Sequence, residues 1–142
     1  MFLTEPFAAH AEFKPSPWSS GVQYEVVTSN PTGDMAKVGE LAAIRFKGSY
    51  QGNEFDNTFA TSEPYYYRAG VGGILKGLDE TIMNMHVGEV YKVKFGGDLA
   101  FGEKGKPSAP GKPRIPPNAE VEYEVEFTEL PGKKEDFIAD YE

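Results

Sequence analysis

Residues of the types that perform acid-base, nucleophilic or metal chemistry are few in this chain and do not cluster. The two histidines, His10 and His86, have no second metal ligand at a useful spacing and no nucleophile signature nearby. Cysteine is absent. The glycine-rich stretches GVGGILKGL and GEKGKPS do not fit the G-x-x-x-x-G-K-[ST] spacing of a phosphate loop. We therefore expect no metal site and no cofactor.

One carboxylate and a group of apolar residues stand apart. Asp56 follows Phe55 directly in NEFDNTF, between a strand and a loop, whereas most acidic residues lie on the solvent face of a strand. The apolar residues at element edges or in loops are Phe55, Ile74, Leu75, Phe101 and Ile115. Exposed apolar side chains are costly there unless they line a shared concavity. Two interpretations stay open, a pocket or ordinary core residues that cap the sheet.

Alternation of apolar and polar residues predicts the strands that position these side chains. The alternating or aromatic segments are residues 22–26, 42–50, 65–67, 91–95 and 119–128, and QGN offers a hairpin connection after the second. Because proline lacks a backbone N–H, Pro116 and Pro117 end a loop before the last strand and direct Ile115.

The last two predicted strands carry opposite charges on their solvent faces. Residues 91–95 present Lys92 and Lys94, whereas the solvent face of residues 119–128 is formed by Glu120, Glu122, Glu124 and Glu126. If these strands are antiparallel neighbours, the lysines face the glutamates across the ladder. Such exposed pairs contribute only about 0.2 to 1 kcal/mol each, but they favour one register.

One segment has helical spacing. Its apolar residues at i, i+3, i+7 and i+10 are Leu75, Leu78, Ile82 and Met85. Gly77 lowers the intrinsic helix stability by about 1 kcal/mol relative to alanine, so packing must hold the helix. Gly88 is placed to end the helix or to turn the chain soon after it. The elements together predict an α+β fold, a curved antiparallel β-sheet of about five strands wrapped around one short α-helix.

Length and charge bound the domain count and the partners. A chain of 142 residues suits one compact domain, and a net charge of -8 argues against nucleic acid as a partner. Residues 1–20 lack the cationic region and continuous apolar run of a signal peptide or membrane span. We expect an extended leader over residues 1–20, a folded domain over 21–130, a short tail over 131–142, and no membrane insertion.

Five landmarks occur in a specific order: GVQYEVV, FKGSYQGNEFD, GGILKGLDETIMNMHVGE, LAFGEKG and RIPPNAEVEYEVEFTEL. In this order, over about residues 21–130, the chain resembles the FKBP-type peptidyl-prolyl cis-trans isomerases, the immunophilins that bind macrolide drugs. The resemblance implies a curved antiparallel sheet around one short helix, with an aromatic pocket between them that holds a proline ring.

The resemblance also assigns site residues, position by position. It implies catalytic roles for Asp56, Phe46 and Phe101. It implies substrate-binding roles for Phe55, Tyr65, Ile74, Leu75, Leu78, Ile115 and Tyr123. Ile74 is where the family offers a backbone N–H to the ligand, and the role of Asp56 is electrostatic or orienting rather than acid-base.

Several positions depart from the family pattern. Phe46 and Phe101 stand where the family commonly has tyrosine, and Leu78 stands where it has tryptophan or sometimes leucine. Thr61 stands where an arginine often supports the aspartate, so Asp56 is expected to lose two of its usual partners. An insertion lengthens the loop GEKGKPSAPGKPR, which carries Lys104, Lys106, Lys112 and Arg114.

The function that the resemblance implies is prolyl isomerisation of X-Pro bonds in client proteins, assisting their folding, with activity reduced by the missing hydroxyls. The alternative is a non-catalytic binding or assembly module that uses the same pocket or the basic loop. The implied partners are proline-containing segments and macrolide ligands, and we expect a monomer. The long loop and the acidic tail KKEDFIADYE resemble those of plastid immunophilins. This implies the thylakoid lumen of the chloroplast, with the cytoplasm as the alternative location.

Overall fold

The structure, a computed structural model, describes residues 12–132, and within them one antiparallel sheet wraps a short helix. The strands are β1 (Lys14–Pro15), β2 (Val22–Thr28), β3 (Leu41–Tyr50), β4 (Asn53–Asn57), β5 (Tyr65–Arg68), β6 (Val90–Phe95) and β7 (Val121–Gly132). The helix α1 is Lys76–Ile82, and 3₁₀ turns cover Gly97–Leu99 and Gly102–Lys104. The expected α+β fold is confirmed. The strands number seven rather than about five because β1 and β4 also pair in the sheet.

The sheet follows the order β1-β2-β6-β7-β3-β4, and β5 also pairs with β3. The ten residues of β3 serve two partners on one edge. Residues 41–44 pair with β5, whereas residues 47–50 pair with β4. The register of β3 against β4 shifts between Gly48 and Ser49. Such an irregularity bends the strand that carries the extra residue, which here is β4 at Phe55.

The predicted charge pairing of the last two strands is confirmed. In the ladder of β6 and β7, Lys92 lies opposite Glu124 and Lys94 lies opposite Glu122. The row continues on both sides, with Glu25 of β2 opposite Lys92 and Lys47 of β3 opposite Glu124. Charge therefore alternates across four neighbouring strands on the solvent face. A register slip by one residue would move these charges into the core.

The helix is held by close contact with the sheet. A Cβ built on Gly77 would lie 2.6 Å from the ring of Phe95 on β6. Only glycine at this position therefore allows the helix to pack so closely against β6. Leu78 and Ile82 are buried, and the helix ends at Ile82. Met85 is also fully buried, although it lies in the turn that follows. Gly88 then adopts φ +95° just before β6.

Part of the expected leader belongs to the sheet. Lys14 and Pro15 pair with Tyr24 and Gln23 of β2, and the Trp18 ring lies 4.9 Å from that of Tyr24. At the other end, β7 continues to Gly132. Residues 1–11 and 133–142, which include most of the leader and tail, lie outside the described part of the chain. Within residues 12–132, no helix has the length and apolar character needed to cross a bilayer.

Candidate functional site

Five aromatic rings form a continuous path of contacts on the side of the sheet that faces the helix. The centroid distances are 5.7 Å from Tyr65 to Phe46, 5.9 Å from Phe46 to Tyr123, 5.8 Å from Tyr123 to Phe55, and 5.6 Å from Phe55 to Phe101. All four contacts are edge-to-face, the arrangement that aromatic pairs prefer. The structure therefore brings these sequence-predicted residues together, although they come from four strands and a loop.

The path is buried in its middle and open at its ends. Phe46, Phe55 and Tyr123 are 7 %, 1 % and 3 % exposed, whereas Tyr65 is 40 % exposed and Phe101 is half-buried. Burial raises the pKa of Tyr123 above its ordinary value, and the nearby Asp56 carboxylate raises it further. The Tyr123 hydroxyl therefore stays protonated at neutral pH, close to Asp56.

Asp56 makes no side-chain hydrogen bond or salt bridge to any residue from 12 to 132. Thr61 stands at the position expected to have lost a supporting arginine, and its single hydroxyl proton is shared between the carbonyls of Thr58 and Glu63, 2.8 and 2.7 Å from Oγ1, instead of reaching Asp56. A half-buried carboxylate with so few partners is available to a ligand.

An arginine that the sequence did not single out shapes the chain beside Asp56. The guanidinium of Arg45 on β3 donates to the carbonyls of Thr58, Thr61 and Ser62 at 3.1, 2.8 and 3.2 Å. These bonds close the loop that follows β4. Arg45 therefore supports the loop rather than Asp56 itself.

Ile115 is 1 % exposed and is held by a backbone bridge. Its N–H donates to the carbonyl of Lys106, and its carbonyl accepts from the N–H of Lys106, both at 2.8 Å. Gly105 makes this approach possible, because a Cβ there would overlap the Ile115 carbonyl. After the two prolines, Asn118 has φ +59° and donates its N–H to Gly102. The loop between β6 and β7 is therefore well braced at its base.

The segment that leads into the helix is positioned by a buried carboxylate. Asp79 accepts hydrogen bonds from the hydroxyl of Tyr67 and from the N–H groups of Gly70 and Gly72. The N–H groups of Ile74 and Leu75, which come next, bond to no residue within 12–132. They are therefore available as donors at the point where the chain enters α1.

The remaining predicted residues differ in their placement. Leu78 is buried in the core, and the half-buried Leu75 packs against the core. Ile74 also lines a separate groove of about 600 Å³ along the helix, together with Trp18, Val38 and Met83. That groove contains none of the five rings.

Two residues that were not predicted as site residues, Phe95 and Gly48, lie against the Tyr123 ring of the aromatic path. Phe95 stacks on Tyr123, with centroids 5.9 Å apart and planes at 4°. Gly48 leaves room for the cluster, because a Cβ there would lie 2.7 Å from the Tyr123 ring and 2.9 Å from Phe55. A glycine in the middle of a strand often marks such a close approach. Gly48, inside a predicted strand, was therefore the one feature of the sequence that could have indicated this close packing. Within residues 12–132, no group of three or more His, Asp or Glu residues could hold a metal ion.

Comparison with known proteins identifies the family. The sequence model described as "FKBP-type peptidyl-prolyl cis-trans isomerase" matches residues 33–128. The chain belongs to this family of isomerases, which is a class of enzymes.

The relatives extend over most of the chain. The chloroplastic peptidyl-prolyl cis-trans isomerase FKBP16-3 of Arabidopsis thaliana is 36 % identical over 118 residues, 80 % of this chain and 50 % of the relative. FK506-binding protein 1 of Rhizopus delemar is 31 % identical over 78 % of this chain and 98 % of the relative. The crystal structure of AtFKBP13 superposes with a TM-score of 0.73 at 27 % identity, covering 84 % of this chain and 98 % of that one. This chain thus spans about half the length of the Arabidopsis relative and nearly all of the fungal one.

Proposed function

We propose that this protein accelerates the cis-trans isomerisation of X-Pro bonds in client proteins, with the proline ring bound over the aromatic path. The observation that carries the proposal is the convergence of three rings: the centroid of Tyr123 lies 5.9 Å from that of Phe46 and 5.8 Å from that of Phe55. The family membership supports the same activity. The whole path consists of Tyr65, Phe46, Tyr123, Phe55 and Phe101.

The reaction needs no proton donor or nucleophile. Rotation about an X-Pro bond is slow because the amide C–N bond has partial double-bond character, with a barrier of about 20 kcal/mol. A site lowers this barrier when it removes water from the amide carbonyl, since water stabilises the planar, charge-separated form. It also lowers the barrier when it binds the twisted amide more tightly than the planar one. An apolar surface with few polar groups suits both tasks.

Three polar groups orient the peptide in this proposal. The backbone N–H of Ile74, or that of Leu75 beside it, donates to a carbonyl next to the proline. The Tyr123 hydroxyl and the Asp56 carboxylate flank the same surface, where the carboxylate adds to the effect of burial in raising the pKa of Tyr123. Asp56 acts as a fixed negative charge that, placed beside the amide carbonyl, disfavours the planar form, whose oxygen carries partial negative charge, and so favours the twisted amide.

We also propose that the activity is reduced. Phe46 and Phe101 supply no hydroxyl group. A lost hydrogen bond is typically worth about 1 kcal/mol, so each change costs up to about tenfold in rate without abolishing the reaction.

A protease-coupled assay with short X-Pro peptides tests the activity. We expect acceleration by the wild-type protein and a loss of about tenfold in kcat/KM for Phe101→Ala, because the substrate loses its contact with this ring. Phe101 is only half-buried, so its truncation spares the core. Tyr66→Ala is the matched control, because Tyr66 is 45 % exposed and its side chain points to the other side of β5 from Tyr65. If no peptide is accelerated even at high protein concentration, the protein is instead a non-catalytic binding module.

We also propose macrolides as ligands of the same site and a plastid as the location of the protein. A site that holds a proline ring also suits macrolides, and displacement of a bound peptide by a macrolide measures this. A plastid location is supported by the chloroplastic relative, and within the plastid we propose the thylakoid lumen. Fractionation of the source cells tests the location, and recovery in the cytoplasmic fraction contradicts it.

A further inference from the structure

The inserted loop forms a small hairpin with a charge opposite to that of the whole protein. Beyond the Lys106 and Ile115 bridge, Ala109 and Lys112 exchange backbone hydrogen bonds of 3.3 and 2.8 Å around Pro110 and Gly111. We name residues 102–114 the basic arm. It contains Lys104, Lys106, Lys112 and Arg114 against the single acidic Glu103, so four positive charges and one negative charge leave it at +3, whereas the chain carries -8.

The basic arm is fixed to the wall of the candidate site. The Lys106 ammonium lies over the Phe101 ring, with Nζ 5.4 Å from its centroid, and Phe101 in turn contacts Phe55. The backbone of Lys106 is paired with buried Ile115. Both the backbone and the ammonium group of this lysine are therefore held in place. The charge lies 5.4 Å from the centroid of the Phe101 ring, a distance that about two residues of extended chain can span.

We propose that the basic arm makes the site select X-Pro segments that carry aspartate or glutamate within about three residues of the proline. This inference rests on the proposed function and names its substrate class. A client carboxylate there meets Lys106 and, further out, Lys104 and Arg114, which are exposed on the same arm. The rest of the chain has a net negative charge, which repels an acidic segment, so the field steers such a client toward the arm.

A set of peptides that differ in one residue tests the selection. Glu, Gln or Lys is placed next to the X-Pro unit, and kcat/KM is measured at about 0.02 M and about 0.5 M salt. We expect the Glu peptide to exceed the Gln peptide about five- to tenfold at low salt and the Lys peptide to fall below both. At high salt the three values should converge, because the Debye length shrinks to about 4 Å.

Variants assign the effect to the arm. Lys106→Gln should lower the advantage of the Glu peptide over the Gln peptide about threefold, and Lys106→Arg should restore it, since the charge returns. Lys92→Gln is the control, because Lys92 lies on the solvent face of β6 opposite Glu124, and it should leave the advantage intact.

The failure of this inference is distinct from that of the proposed function. Equal kcat/KM for the Glu and Gln peptides at low salt overturns the inference and leaves prolyl isomerisation standing. If no peptide is accelerated, the proposed function fails. The same peptides are then titrated by NMR, and equal Kd values for Glu and Gln overturn the inference as well.

Discussion

The hydroxyl of Tyr67 on β5 donates a buried hydrogen bond of 2.9 Å to Oδ1 of Asp79 on α1. The same carboxylate accepts from the N–H of Gly70 at 2.8 Å and from that of Gly72 at 3.1 Å. Asp79 is 7 % exposed. One carboxylate thus ties the strand, the following loop and the helix together. The N–H groups of Ile74 and Leu75, which bond to no described residue, come directly after this fixed segment.

Replacing Asp79 should loosen that segment. Asp79→Asn substitutes an amide NH₂ for one acceptor oxygen, so at least one of its three donors loses its partner. We expect a loss of about 1 to 3 kcal/mol in the free energy of unfolding, measured in urea. Amide hydrogen exchange at Gly70 and Gly72 should quicken. Tyr67→Phe removes only the hydroxyl donor and should cost about 1 kcal/mol. Unchanged exchange at both glycines in Asp79→Asn would contradict this role.

Three buried tyrosines should make the fold sensitive to alkali. Burial and Asp79 raise the pKa of Tyr67 above its ordinary value of 10.0, burial and Asp56 do the same for Tyr123, and burial and Glu89 raise the pKa of Tyr91 to about 12. A raised pKa favours the folded state while the phenol is neutral. The resulting stability is complete below pH 10 and declines as pH rises above it.

Urea titrations between neutral pH and about pH 12 measure this decline. Tyr67→Phe should flatten the stability curve above pH 10, because one of the three groups no longer titrates. A curve as steep as that of the wild type would show that Tyr67 ionises equally well in both states.

Glu89 should govern stability in acid. Burial alone would raise its pKa, but hydrogen bonds from the backbone N–H groups of His86 and Asn30 outweigh burial and lower it. A lowered pKa stabilises the fold above the ordinary value of 4.5, and that stability is lost as pH falls below it. Glu89→Gln should therefore be destabilising at pH 7 and should show a weaker dependence of stability on pH below 4.5. Glu122→Gln, at an exposed position, serves as the control.

The contact between Gly77 and Phe95 should be intolerant of a methyl group. Gly77→Ala raises helix propensity by about 1 kcal/mol, yet its Cβ would lie 2.6 Å from the Phe95 ring. We expect a net loss of about 1 to 3 kcal/mol from overpacking, with a shift of Tyr123, on which Phe95 stacks. Gly73→Ala is the matched variant, because its Cβ would meet Tyr67 no closer than 3.5 Å. Equal melting temperatures for the two variants would argue against the clash.

A hydroxyl added at residue 101 should increase the proposed activity. Phe101 is half-buried and contacts Phe55 at the open end of the aromatic path. Phe101→Tyr should raise kcat/KM in the protease-coupled assay by up to about tenfold, the equivalent of one hydrogen bond to the substrate. Tyr66→Phe, on the outer side of β5, should have no effect. An unchanged rate in Phe101→Tyr would mean that this hydroxyl does not limit the reaction.

The sequence alone predicted the helix, the pairing of β6 with β7 and five of the seven strands in residues 12–132. Alternation along β6 and β7 needs only the two-residue period of a strand, and the opposite charges of Lys92 and Glu124 favoured the register that forms. The spacing from Leu75 to Ile82 likewise predicted the helix, because the side-chain pattern of a helix repeats within a few residues. The residues of the aromatic path came from the resemblance to the family, not from periodicity.

The burial of individual polar groups and the packing beneath the site could not be predicted from the sequence. Glu89 looks like any surface carboxylate in the sequence, yet its partner Asn30 is 59 residues away. Gly48 and Phe95 support Tyr123 from two other strands, and the pairing of β1 depends on β2. Contacts between distant segments leave no local period in the sequence. Burial and hydrogen bonding depend on such contacts, so they appear only when the sheet closes around the helix.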